Sequence, residues 1–270
     1  AMIDRRHVLA GFAATAMPSR LWAAAALPAA TVDDRLARLF AELGTVGAFV
    51  AYRADTGRLI ASDEARCTAG LLPASTFKIP NSIIALESGV VADPDKDVFR
   101  WDGVTRAFPD WNKDHTLRSA IAASAVPVYQ EIARRIGAAR MQRYVDAFDY
   151  GNRRIGGGID RFWLTGDLRI SAHQQVAFLD RLRRDALPVS ARSQRLVRDI
   201  LPLTKTGDAL IRAKTGLVGV DDRSASGGWR ASAGWLVGFA ASGARQTVFA
   251  LNLDIKDKRH IAARMPLAQQ

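Results

Sequence analysis

The 270 residues carry a net charge of +11, with 49% hydrophobic and 24% charged side chains. This balance excludes a disordered chain and suffices for a domain with a sizeable core. A single cysteine, Cys67, excludes an intrachain disulfide; four histidines (His7, His115, His173, His260) show no His-x-His or His-x-x-x-His spacing, which argues against a zinc hydrolase or any other metal site.

Residues 2–26, "MIDRRHVLAGFAATAMPSRLWAAAA", have a charged start, an apolar middle and an alanine-rich end. Residues 1–26 therefore read as a secretory signal, too short and too interrupted to span a bilayer. Arg5-Arg6 followed by Val8-Leu9 resembles a twin-arginine signal, a Sec signal being the alternative; Ala24-Ala25-Ala26 offers a cleavage site. Its loss removes three arginines (Arg5, Arg6, Arg20) and Asp4, leaving +9. The remaining basic residues are dispersed, often in pairs such as Arg134-Arg135 and Arg183-Arg184, and show no nucleic-acid-binding module. The expected setting is the periplasm, with no membrane attachment after cleavage; whether the protein is a monomer or a homodimer is open.

"DDRLARLFAELG" (33–44) predicts an amphipathic helix with Leu36, Leu39, Phe40 and Leu43 on one face. Residues 47–62 predict two strands around an Asp-Thr-Gly turn. Helical patterning follows at 76–88, 116–123, 128–136, 138–147, 172–184 and 190–200. Strands return with "ALIRAKTG", "ASAGWLVGFAA" and "RQTVFALNLDI", the second preceded by a Ser/Gly-rich loop at 221–234. A last helix starts near 259. The order predicts an α/β fold of the α+β type over residues 27–270. An antiparallel sheet is built from both ends of the chain and flanked by helices, with a mostly helical region, about 66–200, inserted into it and a cleft between the two.

Within "PASTFKIP", Ser75 and Lys78 lie one helical turn apart. Ser75 can be an ordinary helix cap, or a nucleophile with its base in the Ser-x-x-Lys pattern of acyl-transfer enzymes that attack β-lactams. Lys-Thr-Gly occurs twice. Lys214-Thr215-Gly216 ends a strand-like run, so its side chains can point into a cleft; Lys205-Thr206-Gly207 sits where a helix gives way to a turn, and the second copy is preferred. Ser124-Ala125-Val126 offers a second hydroxyl or a helix cap. Tyr150-Gly151-Asn152 reads as a turn with positive φ, and Trp163 as a core tryptophan.

In this order, Ser75-Thr76-Phe77-Lys78, Ser124-Ala125-Val126, Tyr150-Gly151-Asn152, Trp163, Lys214-Thr215-Gly216 and "GWLVGF" resemble the class D (oxacillinase-type) β-lactamases of the penicillin-binding/transpeptidase-like superfamily. The resemblance covers residues from about 70 to the end. It implies a β-lactam substrate, Ser75 as the acylated nucleophile and Lys78 as the base, carried as an N-carbamate formed with carbon dioxide and with no other cofactor. It assigns Trp163 and Val126 to supporting and shielding that group, and Ser124 and Lys214 to delivering a proton to the lactam nitrogen. The backbone N–H groups of Ser75 and Leu217 would form the oxyanion hole. Thr215, Gly216 and an arginine on the last helix would meet the substrate carboxylate; family spacing selects Arg264, with Arg259 as the fallback. A free lysine titrates near 10.4, so half-neutrality at pH 7 takes about 4.6 kcal/mol of environmental bias. Apolar neighbours such as Phe77, Val126 and Trp163 can supply part of it by desolvation. A penicillin-binding D,D-peptidase and a β-lactam sensor domain share the central motifs and stand as alternatives.

Overall fold

A computed structural model describes residues 27–219 and 232–269. The expected signal at 1–26 and most of the loop at 221–234 lie outside these residues. The N-terminal part forms β1 (Thr31–Val32), α1 (Asp34–Glu42), β2 (Gly47–Arg53) and β3 (Arg58–Ala61). A helical stretch follows: α2 (Glu64–Thr68), α3 (Lys78–Glu87), α4 (Leu117–Ala123), α5 (Val126–Ile136), α6 (Ala138–Ala147), α7 (Ala172–Arg183) and α8 (Ala191–Ile200). The chain then returns through β4 (Leu203–Thr206), β5 (Ala209–Val218), β6 (Ala233–Ser242) and β7 (Arg245–Asp254) to α9 (Lys258–Ala268).

The strands form one seven-stranded sheet in the order β1-β3-β2-β7-β6-β5-β4. Every pairing is antiparallel except the short β1–β3 contact, which is parallel. The two ends of the chain meet in the middle of the sheet: the N-terminal β2 pairs with the C-terminal β7, placing Val50 opposite Ala250. Alternation along the strands sorts two cores. Trp235, Val237, Val248 and Ala250 face the helical region, where they join residues of α3, α5 and α7. Leu236, Phe249, Leu251 and Leu253 face the other way, onto Phe40 of α1 and Met265 and Leu267 of α9. α7 packs across β2, β6 and β7 and ties the helical region to the sheet.

Three elements were not expected: β1, α2 and β4, each five residues or shorter. Helix α5 begins at Val126, two residues ahead of the predicted start, because Pro127 is accommodated in a first turn where its missing N–H has no helical partner to lose. Lys205 is a correction. It lies exposed on edge strand β4, paired with Leu210, and the turn falls after it at Gly207, whose φ is 55°. Among the described residues no helix is long and apolar enough to cross a membrane.

Candidate active site

Ser75 lies in a single 3-10 turn, Ala74–Phe77, that leads directly into α3. The turn is forced: Ala74 takes a positive φ of 48°, an unfavourable value for a residue with a Cβ. Neighbours clamp it. Ala74 N–H donates to Trp163 O (3.0 Å), and the Trp235 indole donates to Leu72 O (2.9 Å). Lys78 then begins α3 with its Nζ 2.8 Å from Ser75 Oγ. Pro80 falls within the first turn of the helix, where proline is tolerated.

Lys78 is 1% exposed. Its Nζ lies 5.2 Å from the centre of the Tyr129 ring, which is held in place by a 2.8 Å hydrogen bond between Tyr129 OH and Ser82 Oγ. Burial, followed by the like charge of Lys214, pushes Lys78 well below the ordinary lysine range. Phe77, which precedes Lys78 in the chain, packs on Trp163 (centroids 5.5 Å apart), Phe162 and Tyr150. The Trp163 indole N–H is buried without a hydrogen-bond partner.

Facing this turn is β5. Gly216 allows the approach: a Cβ there would lie 3.1 Å from Pro73 O and 3.2 Å from Thr76 Cγ2. Lys214 is fully buried and donates to Ser124 Oγ (3.0 Å), Thr215 O (3.0 Å) and, more weakly, Thr215 Oγ1 (3.4 Å). Burial and then the Arg264 guanidinium lower Lys214 to about 7. Ser124 reaches it because the residue closes α4 in the left-handed region (φ 54°, ψ 35°). It is thus the C-cap of α4 and not the cap of the following helix. Arg264 on α9 is 8% exposed and donates to Gly216 O (2.9 Å) and Trp235 O (3.0 Å), which holds the helix against the back of the site. Burial lowers it to about 10.

A buried lysine beside a serine, with a second serine–lysine pair opposite, is an arrangement for acyl transfer. Residues 47–270 match the family described as "Penicillin binding protein transpeptidase domain". The chain is 40% identical over 240 residues to β-lactamase OXA-5 of Pseudomonas aeruginosa, covering 88% of each chain. It is 42% identical to OXA-48 of Klebsiella pneumoniae over 86% of this chain and 84% of that one. The fold is similar to that of FUS-1 (OXA-85), a class D β-lactamase from Fusobacterium nucleatum subsp. polymorphum. The TM-score is 0.81 at 35% identity, over 88% of this chain and 96% of that one.

The chain belongs to the class D β-lactamases. Of the residues that the sequence motifs single out, this class D fold gathers Ser75, Lys78, Ser124, Lys214, Thr215 and Gly216 where the Ala74–Phe77 turn and the end of α4 meet β5, with Trp163 packed on Phe77 and Arg264 bonded to the β5 and β6 backbone. Leu217, half-buried, follows Gly216 on the same strand, and Val126 opens α5 two residues after Ser124. Arg259 is paired with Asp257 at the exposed start of α9, away from these contacts, so Arg264 is the arginine at the site. Tyr150 is buried against Phe77, while Asn152 is bonded to the 167–169 backbone.

The motifs did not point to Trp111, Tyr129, Ser82 or Gln175. The Trp111 indole donates to Ala123 O (3.1 Å), which fixes the Pro109–Trp111 turn beside Ser124. A usable signal existed for Gln175. It stands with Phe178, Leu179 and Leu182 on the buried face of α7, and a polar side chain on such a face needs partners.

Proposed function

We propose that this β-lactamase opens β-lactam antibiotics through an acyl-enzyme on Ser75, with Lys78 as general base, and thereby confers resistance to them. The observation carrying this reading is Lys78 Nζ at 2.8 Å from Ser75 Oγ in a site dry enough to disfavour the ammonium.

Ser75 Oγ gives its proton to the base at Lys78 and forms a bond to the lactam carbonyl carbon. The carbonyl oxygen takes up the negative charge and is met by the backbone N–H groups of Ser75 and Leu217. As the C–N bond breaks, the lactam nitrogen takes a proton from Ser124, which is resupplied from Lys214 at 3.0 Å. Water then attacks the ester, assisted by the same base, and Ser75 regains its proton as the opened product leaves. Thr215 on the exposed lip of β5, with Arg264 behind it, attracts the substrate carboxylate.

The surroundings of Lys78 suit a carbamate formed with carbon dioxide. A disfavoured ammonium leaves a nucleophilic amine, and the partnerless Trp163 N–H is a donor ready for a carboxylate-like group. So carried, Lys78 would supply a base stronger in hydrogen-bonding capacity than a neutral amine, with Val126 restricting water around it. We further infer that residues 1–26 direct export to the periplasm and that residues 27–270 are the catalytic domain.

The test is steady-state hydrolysis of a chromogenic cephalosporin. Many turnovers per molecule are expected; a stoichiometric burst followed by silence would indicate instead a D,D-peptidase or sensor that traps the drug. Carbon-13 NMR with labelled bicarbonate should give one carbamate signal, absent from Lys78→Ala. A fully active enzyme without that signal and with a rate indifferent to bicarbonate would leave a neutral-lysine base.

A further inference from the structure

The Tyr150-Gly151-Asn152 turn takes no part in the steps above, yet it reaches the nucleophile by two routes. The first runs through backbone. Asn152 N–H donates to Arg169 O (2.8 Å), Asn152 Oδ1 accepts from Arg169 N–H (3.0 Å), and its Nδ2 donates to Asp167 O (2.9 Å). Gly151, at φ 58°, makes room, since a Cβ there would lie 2.1 Å from Arg169 O. The segment so held exchanges two backbone bonds with the approach to Ser75: Leu71 N–H to Ile170 O (2.9 Å) and Ile170 N–H to Leu71 O (2.8 Å).

The second route is a chain of buried side chains. Tyr150 OH donates weakly to Gln175 Oε1 (3.4 Å), while Gln175 Nε2 donates to Thr76 Oγ1 (2.8 Å) and Thr76 Oγ1 donates to Pro73 O (2.7 Å). The Thr76 N–H bonds the same carbonyl at 3.1 Å. Tyr150, Gln175 and Thr76 are each at most 1% exposed. The directions are fixed by counting hydrogens. Thr76 has one hydroxyl hydrogen and spends it on Pro73, so Gln175 must present its NH2 to Thr76 and its oxygen to Tyr150. Both ends of the Gln175 amide are thus used, and the Pro73-to-Thr76 turn that contains Ser75 is closed from outside by a residue on α7.

We infer that Gln175 is a positioning residue for acyl transfer: by donating to Thr76 Oγ1 it fixes the turn that aims Ser75 Oγ and the Ser75 N–H, and it couples the Tyr150 turn to that task. The inference rests on Ser75 being the acylated nucleophile. Ala74 holds a positive φ in the same turn, so a loosened turn has a lower-strain conformation to relax into. A displacement of about 1 Å at a reacting atom lowers rates by up to ~100-fold.

The experiment measures the penicillin acylation rate constant by stopped flow in wild type, Gln175→Leu and Gln175→Glu, with near-UV circular dichroism to count folded protein. Gln175→Leu should fold and acylate about tenfold to a hundredfold more slowly. Gln175→Glu is the sharper probe. Protonated, the glutamic acid reproduces the pattern, with its O–H on Thr76 and its other oxygen accepting from Tyr150. Ionised, it can only accept, and Thr76 can satisfy it only by abandoning Pro73. The titratable group in hydrogen-bond contact with it is the Tyr150 phenol, pushed up by its own burial. Burial raises a carboxyl pKa. The ratio of Gln175→Glu to wild type should therefore lie near one at about pH 5.5 and fall to the Gln175→Leu level by about pH 8.5, in folded protein. A ratio flat with pH, a Gln175→Leu enzyme that acylates like wild type, or a Gln175→Glu protein that unfolds instead of slowing would each overturn the inference. Failure of wild type itself to acylate would sink the proposed function instead.

Discussion

The site holds two serine–lysine pairs of nearly equal length that are built in opposite ways. Ser75 and Lys78 stand three residues apart on one turn, at 2.8 Å. Ser124 and Lys214 are ninety residues apart, at 3.0 Å, and meet only when the end of α4 closes on β5. The first pair is secured by local geometry and the second by tertiary packing. Their surroundings differ as well. Lys78 has Ser75 Oγ and the face of Tyr129 for company, and burial, followed by the like charge of Lys214, disfavours its charged form. Lys214 has three oxygens within reach and settles at about 7. A group whose charged form is disfavoured suits a base, and a group that titrates near neutrality suits a proton carrier. Under the proposed function the two lysines divide the labour accordingly, Lys78 as the base and Lys214 as the proton carrier.

Four substitutions test this contrast. The largest effect is expected at Lys78→Ala, which should lower turnover by about 10⁴-fold or more while leaving the second pair assembled, as for loss of a group acting in concert with its nucleophile; kcat for a penicillin, with near-UV circular dichroism as the fold control, checks it. Lys214→Ala should lose on the order of a hundredfold, the scale of one electrostatic catalytic group. A smaller loss in Lys78→Ala than in Lys214→Ala would invert the assigned roles.

Arg264→Leu separates electrostatics from chemistry. Removing the neighbouring positive charge raises the Lys214 pKa, because a like charge had been disfavouring its protonated form. If Lys214 delivers a proton, the alkaline fall of kcat, expected near 7 in wild type, moves to higher pH in the variant. KM for carboxylate-bearing substrates rises as well, but only the movement of the kcat profile reports on Lys214. The smallest effect belongs to Lys205→Ala, on exposed β4, where activity should change less than about twofold and stability by no more than ~0.5 kcal/mol. A large loss there would mean that the second Lys-Thr-Gly copy is the wrong one.

The same contrast explains what could be read from the chain. Ser75 and Lys78 were legible because a helical turn places i and i+3 side by side whatever surrounds them. β6 and β7 were legible because runs such as "WLVGF" and "TVFALNL" are apolar on both faces, as strands covered by helices on both sides must be. The meeting of Ser124 with Lys214 carries no local signature and could be anticipated only from family resemblance. Likewise β1, α2 and β4 are too short to develop a period; the partners of β1 and α2 are remote as well, whereas β4 forms a tight hairpin with β5. The left-handed Ser124 and the early start of α5 share one cause: a tight α4–α5 corner that serine and proline each permit but do not announce. Gln175 was visible as a polar residue on an apolar stripe, but its partners, Thr76 and Tyr150, come from other segments of the chain.

The proposed mechanism turns on which of the two serines forms the acyl-enzyme. Intact-protein mass spectrometry at short times after mixing with a penicillin, followed by peptide mapping, reads this directly. One adduct on the peptide containing Ser75, gained and lost within each turnover in wild type and persisting when deacylation is slowed by Trp163→Ala, is the predicted result. An adduct on Ser124, or none on either serine while substrate is being consumed, would contradict the account.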